Sequence, residues 1–181
     1  MGTIVSVVLA AGASTRFGAA NKLLHPVEGE PMIRRVARLH APAVVVFADE
    51  EVRAALAGLD VRLVHNLEPG RGMGRSIALG VGAVDADAIL LALGDMPFVR
   101  PDTLRRLAAL DADLARPVYR GRPGHPVRFG RVHHAALRAL DGDRGARALV
   151  AEHGFTPLAV DDPGVLRDVD APDDLDAAPG S

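Results

Sequence analysis

The chain has 181 residues, nearly half of them apolar, with a formal charge of -2 and neither cysteine nor tryptophan. That length fits one domain, able to bury roughly 70% of the surface its unfolded form exposes. The missing cysteines exclude a disulfide framework, a thiolate metal site and a thiol nucleophile, and the near-neutral charge argues against nonspecific nucleic-acid binding.

Apolar runs lie at 4–9, 44–47, 61–64 and 89–93, broken only by Ser6 and Arg62. Strands buried on both faces read this way, so they predict a mostly parallel sheet. Between them fall helical patterns at 32–39, with Pro31 as the first helical residue, at 50–57, and at 73–84. In the last of these Met73, Ile77, Val81 and Val84 share one apolar stripe, and Met73 and Ile77 read as core. Strand and helix alternate, and the class is therefore α/β.

Beyond Pro101 a helix is expected to about residue 110, then two short strands around the Gly/Pro turn of "PVYRGRPGHPVRFG". Helices at 132–140 and 143–153 should follow, with Asp143 as N-cap and Gly154 as the stop, then a strand at 155–160. His133 and His134 read as surface residues, having no acidic partner at metal-ligand spacing. One domain over 1–176 with a frayed tail at 177–181 is expected. With neither a basic leader nor an apolar run of about 18 residues, the chain is expected to be soluble and cytoplasmic, without a membrane partner.

The turn after the first strand carries the chemistry. Residues 9–24 read "LAAGASTRFGAANKLL", in which Gly12 and Gly18 allow a tight turn with several N–H groups aimed at one anion, while Arg16 and Lys22 add charge. Ligands of open parallel sheets bind beyond the carboxyl ends of the strands, where this turn falls. It is neither a P-loop, since Ala19 and Ala20 follow Gly18, nor the G-x-G-x-x-G fingerprint. Asp95, at the end of the run 89–93, stands on the same edge and suits a hard divalent cation; capping the next helix, or closing the turn before Pro97, is the alternative use of this carboxylate. Asp168 and Asp170 flank Val169 and would share one face of a strand; a carboxylate there would otherwise cap the turn after Pro172.

The loop resembles the signature of nucleotidyltransferases similar to the molybdenum cofactor guanylyl- and cytidylyltransferases. The likeness continues in order through "GRGMGRSIALGV", "LALGDMPFV", "GHPVRFG", "GDRGARALV" and "DVDAPDDL". It implies a three-layer, Rossmann-like fold of the glycosyltransferase-A type. It also implies a Mg2+-dependent transfer of CMP from CTP to a phosphorylated acceptor, the molybdopterin-type cofactor, with transient contact to a molybdoenzyme or its chaperone. Lys22 comes four residues after Gly18, one later than is usual in relatives.

By the same resemblance Arg16, Lys22 and Asp95 are catalytic, and Asp95 with Asp170 ligates the metal, Asp170 being favoured over Asp168. The nucleotide is expected on Leu9, Ala10, Ala11, Gly12, Ser14, Arg16, Lys22, Asn66, Gly74, Ser76 and Asp95, and the acceptor on Ser76 and His125. Guanylyl-transferring relatives tend to have glycine where Ala11 stands, so the added methyl leans to CTP. Such a group is worth only about 1–3 kcal/mol of discrimination. Two other readings stay open: guanylyl or sugar-phosphate nucleotidyl transfer, and NAD(P)H-dependent reduction of a small heteroaromatic substrate on the same fold.

Overall fold

The computed structural model describes residues 2–12, 21–143 and 145–175. Along them run β1 (Ile4–Ala10), the hairpin of β2 (Pro26–Val27) and β3 (Glu30–Pro31), α1 (Met32–His40), β4 (Ala43–Phe47), α2 (Glu50–Ala55), β5 (Val61–His65), α3 (Met73–Gly82) and β6 (Ala88–Leu93). There follow α4 (Pro101–Ala109), β7 (Leu114–Tyr119), β8 (Arg122–Pro123), β9 (Val127–Gly130), α5 (His134–Arg138), α6 (Arg147–His153) and β10 (Thr156–Ala159).

The main sheet has the order β10-β7-β9-β6-β1-β4-β5, with β8 paired to β7. β1 runs parallel to both its neighbours, β4 and β6, and β5 is parallel to β4. β9 is inserted antiparallel between β6 and β7, so the sheet is mixed on that side. Val7 and Val8, adjacent on β1, are both fully buried. Val7 packs with Val46, Ile77, Val81 and Phe129 on one face, and Val8 with Ile33, Val36, Val45 and Leu56 on the other. Helices on both faces make three layers, which is why β1 shows no polar alternation.

The helix α3 packs close onto this sheet at Gly80. A Cβ at Gly80 would lie 2.5 Å from Val7 Cγ1, so only glycine lets the two backbones approach this closely. That seating carries the start of α3 to the carboxyl edge of β1.

Several expectations shift. Pro31 ends β3 in extended geometry and α1 begins one residue later. Asp143 is not the N-cap of α6: the helix begins at Arg147 with Ala146 in the cap position, while Gly142 takes a positive φ and gives its carbonyl to the Gly74 N–H. Gly154 does end α6, its N–H bonded to Val150 O. His133 and His134 are buried, not on the surface. Residues 131–133 form a 3-10 turn, and His134, which opens α5, has its ring hydrogen-bonded to the Phe129 backbone. His133 there lies edge-on to Phe129 and against His153. Among the described residues no helix is long and apolar enough to cross a membrane. The tail 177–181 lies outside the described residues.

Candidate active site

Three turns at the carboxyl edge of the sheet converge on one cleft of about 290 Å³. After β1 come Ala11 and Gly12, after β6 comes Asp95, and the turn Pro69–Arg71 with the start of α3 closes the opposite side. Leu9, Leu23 and Leu93 supply an apolar floor, and Ser76 adds a hydroxyl.

Lys22 enters from a short 3-10 turn, Lys22–Leu24, whose N-cap Asn21 accepts from Leu23 N. Asn21 in turn donates to Asp49 Oδ2 at 3.2 Å, tying the turn to the N-cap of α2. The Lys22 ammonium lies 2.7 Å from Asp95 Oδ2 and 2.9 Å from Asp170 Oδ1. Burial works against its charge, but the hydrogen bonds and negative charges of Asp95 and Asp170 outweigh burial and hold it above the ordinary lysine range.

Asp95 therefore neither caps α4 nor closes the turn before Pro97. The first N–H at that helix end, Arg100 N, goes to Asp162 Oδ2 instead. Asp95 Oδ1 is buried with no hydrogen-bond partner. An orphaned carboxylate oxygen costs stability unless a cation or donor meets it, and with Asp170 beside it the donor set is the hard oxygen type that Mg2+ takes. The residues thus fit a divalent cation held by one or two carboxylates. No group of three or more His, Cys, Asp or Glu side chains converges for metal binding among the described residues.

The segment 168–170 is not a strand, contrary to expectation. Val169 is fully buried and its N–H bonds to Asp95 O at 2.9 Å, which leaves Asp168 exposed while Asp170 turns to Lys22. The turn after Pro172 leaves its N-terminal N–H groups to Asp174, whose Oδ2 accepts from both Asp170 N and Ala171 N.

Other expected residues divide. Asn66 is buried and does not line the cleft; it donates to Ser76 Oγ at 3.0 Å and accepts from Glu68 N, so it orients the hydroxyl that does. Ala10 faces the α1 side of the sheet, and the Gly74 N–H is taken by Gly142 O. His125 stands off the cleft: its ring meets the Leu91 carbonyl, with Arg116 and Asp168 near. Burial, then the Arg116 charge, pushes it down to about 4, so the ring is neutral at physiological pH. Ser14, Arg16 and Gly18 lie outside the described residues.

Met73 corrects the core assignment. It is 51% exposed and lines the cleft. As the first residue of α3 it projects past the sheet edge, so the stripe outlasts the surface that would cover it. Pro69, Gly72, Leu23 and Leu93 also line the cleft, beyond the residues expected there. The spacing of glycines in "GRGMG" is the sequence signal for Gly72, which sits at φ +93.

The model of the MobA-like NTP transferase domain matches residues 6–157. Rv0371c from Mycobacterium tuberculosis H37Rv is 35% identical, with a TM-score of 0.80 over 95% of this chain and 94% of that one. Its complex with manganese superimposes with a TM-score of 0.76 at 33% identity, over 95% of each chain. A nucleotidyl transferase from Methanothermobacter thermautotroptrophicus is 28% identical, with a TM-score of 0.81 over 95% of this chain and 94% of that one. Among curated proteins, the bifunctional protein GlmU of Alkalilimnicola ehrlichii is 39% identical over 148 residues. That match takes in 71% of this chain, which spans about a third (32%) of the relative's length.

Proposed function

Because the chain belongs to the MobA-like NTP transferase domain family and is a nucleotidyltransferase, we propose that it transfers CMP from CTP to a molybdopterin-type acceptor in a Mg2+-dependent reaction. The observation that carries this reading is the cleft at the sheet edge with Lys22 and Asp95 side by side in its wall. The manganese complex of Rv0371c supports a divalent cation in this family.

On this reading an oxygen of the acceptor's phosphate forms a bond to the α-phosphorus of CTP. The bond from that phosphorus to the α,β-bridging oxygen breaks, and pyrophosphate leaves with the electron pair. No general base is required, since a phosphate monoester is largely dianionic near neutral pH. The work left to the chain is positioning and charge neutralisation.

The backbone of Gly12 and the start of α3 would face the phosphates, and Lys22 would pair with them. Asp95, with Asp170, would hold the cation, which when bound withdraws charge from the phosphoryl oxygens. Ser76, oriented by Asn66, would face the ribose or the acceptor. His125 would reach only an acceptor that extends across β6 towards β9, since Val127 pairs with Leu91 there. The Ala11 methyl, in the cleft wall, narrows the space for a base and favours the smaller pyrimidine.

Guanylyl and sugar-phosphate transfer would use the same cleft, and one assay separates them. Pyrophosphate release is followed with Mg2+ and molybdopterin-type cofactor, offering CTP, GTP and UTP in turn, then with sugar phosphates as acceptor. CTP with the cofactor should give the highest kcat/KM. Turnover with GTP but not CTP would reject the base, and turnover with sugar phosphates alone would reject the acceptor.

A further inference from the structure

We infer that Lys22 is a built-in substitute for the divalent cation: its ammonium occupies the space between Asp95 and Asp170 in the free protein and must be drawn away before a metal can enter. This rests on the nucleotidyl-transfer reading. It adds an order of events that the reading does not contain, in which nucleotide and metal assist each other's binding by competing for different partners of one lysine.

The geometry is specific. One ammonium bridges two carboxylates, at 2.7 and 2.9 Å, from segments 75 residues apart in sequence. Two carboxylates brought this close repel unless a positive charge lies between them. The Lys22 side chain is 16% exposed and that of Asp95 20%, so on the Asp95 side the ammonium and not solvent meets the carboxylate, while Asp170 at 44% stays open to water.

Asp170 does not depend on the lysine for its place. Val169 N bonds to Asp95 O, and Asp170 N to Asp174 Oδ2, so the main chain of the two segments stays side by side whether or not the lysine is there. The Lys22 backbone is equally anchored, by the Asn21 cap, and motion falls to the flexible four-carbon stem. Asp95 Oδ1 remains buried and without a partner in the ammonium-bound arrangement, so the lysine satisfies only half of the carboxylate. A divalent ion gains both the unused oxygen and the doubled charge.

An ammonium and a divalent ion cannot share the space between these carboxylates, because they repel at contact distance. The phosphates of a nucleotide in the same cleft offer the ammonium its other partner. Metal entry and nucleotide binding therefore couple positively, and the coupling is reciprocal.

The test uses Mn2+ alone, titrated calorimetrically into the nucleotide-free full chain. Lys22→Met should bind Mn2+ about tenfold or more tightly than the unaltered protein, whereas Lys22→Arg, which keeps the charge, should stay as weak. Lys22→Gln, uncharged but hydrogen-bonding, serves in place of Lys22→Met if circular dichroism shows that variant unfolded. An affinity for Mn2+ unchanged or weaker in the uncharged variant overturns the inference. If Asp95→Asn nonetheless removes Mn2+ binding, the metal assignment survives and only the gating is lost. If the uncharged variant binds more tightly but keeps Mn2+ after Asp95→Asn is added, the metal lies elsewhere and both fall.

Discussion

Asn66 Nδ2 donates to Ser76 Oγ at 3.0 Å, and both side chains are almost fully buried. The bond links the end of β5 to the first turns of α3, with Glu68 N–H held by the same asparagine. Asn66→Ala leaves the buried Ser76 hydroxyl without this partner and frees the Glu68 N–H to water, at a cost of about 1–3 kcal/mol. Urea denaturation should show the loss, and KM for the nucleotide should rise because the Ser76 hydroxyl is no longer oriented. An unchanged midpoint would mean that the bond contributes nothing.

Gly72 is held in a region that L side chains rarely adopt, and a Cβ there would fall 2.5 Å from Gly142 O and from Asp143 Oδ1. Gly72→Ala should therefore push the Pro69–Arg71 lip outward, destabilise the protein by about 1–3 kcal/mol and weaken nucleotide binding. Gly82, where an added Cβ would meet nothing within 4 Å, is the control. Gly82→Ala, at the last residue of α3, should stabilise by up to about 1 kcal/mol and leave binding alone.

Asp95→Asn keeps an oxygen able to accept from Lys22, so its thermal unfolding should stay close to that of the unaltered protein. Metal-dependent turnover should drop by on the order of 100-fold or more, the usual consequence of removing one charge-neutralising group. Retained turnover would remove Asp95 from the metal. Lys22→Ala should both raise KM for the nucleotide and slow the step.

His40 is buried on α1, its Nδ1 3.0 Å from Ser6 Oγ, and burial pushes it down to about 4. The unfolded chain binds a proton near pH 6.5 that the folded protein refuses until about pH 4. Stability should therefore be full above about pH 6.5 and fall as the solution is acidified towards 4, by on the order of 3 kcal/mol from this residue. Denaturant titrations across that window check it, and His40→Gln should flatten the slope.

The central strands are legible in the sequence because burial on both faces forbids polar alternation, and runs such as 4–9 and 89–93 carry that mark locally, whereas β5 at the sheet edge is buried on neither face. The edge location of Gly12, Lys22 and Asp95 follows from the rule that turns after parallel strands gather at one end. The exposure of Met73 is not legible, because helical periodicity says which residues share a stripe, not how far the sheet beneath extends. Nor is the burial of His133 and His134, because it depends on Phe129 of β9 and His153 of α6 packing over them, contacts between elements that local composition does not announce.

What the amino-acid order determined alone is the alternation of strands and helices through the first half of the chain and the residue types delivered to the carboxyl edge, since both depend on short-range pattern. Only the folded chain decided that β9 inserts antiparallel, that Asn66 serves Ser76, and that Lys22 closes on Asp95 and on Asp170, 148 residues away. Such pairings arise when separate segments pack on one sheet. Their geometry is set by the shape of the assembled core, to which no single stretch of sequence has access.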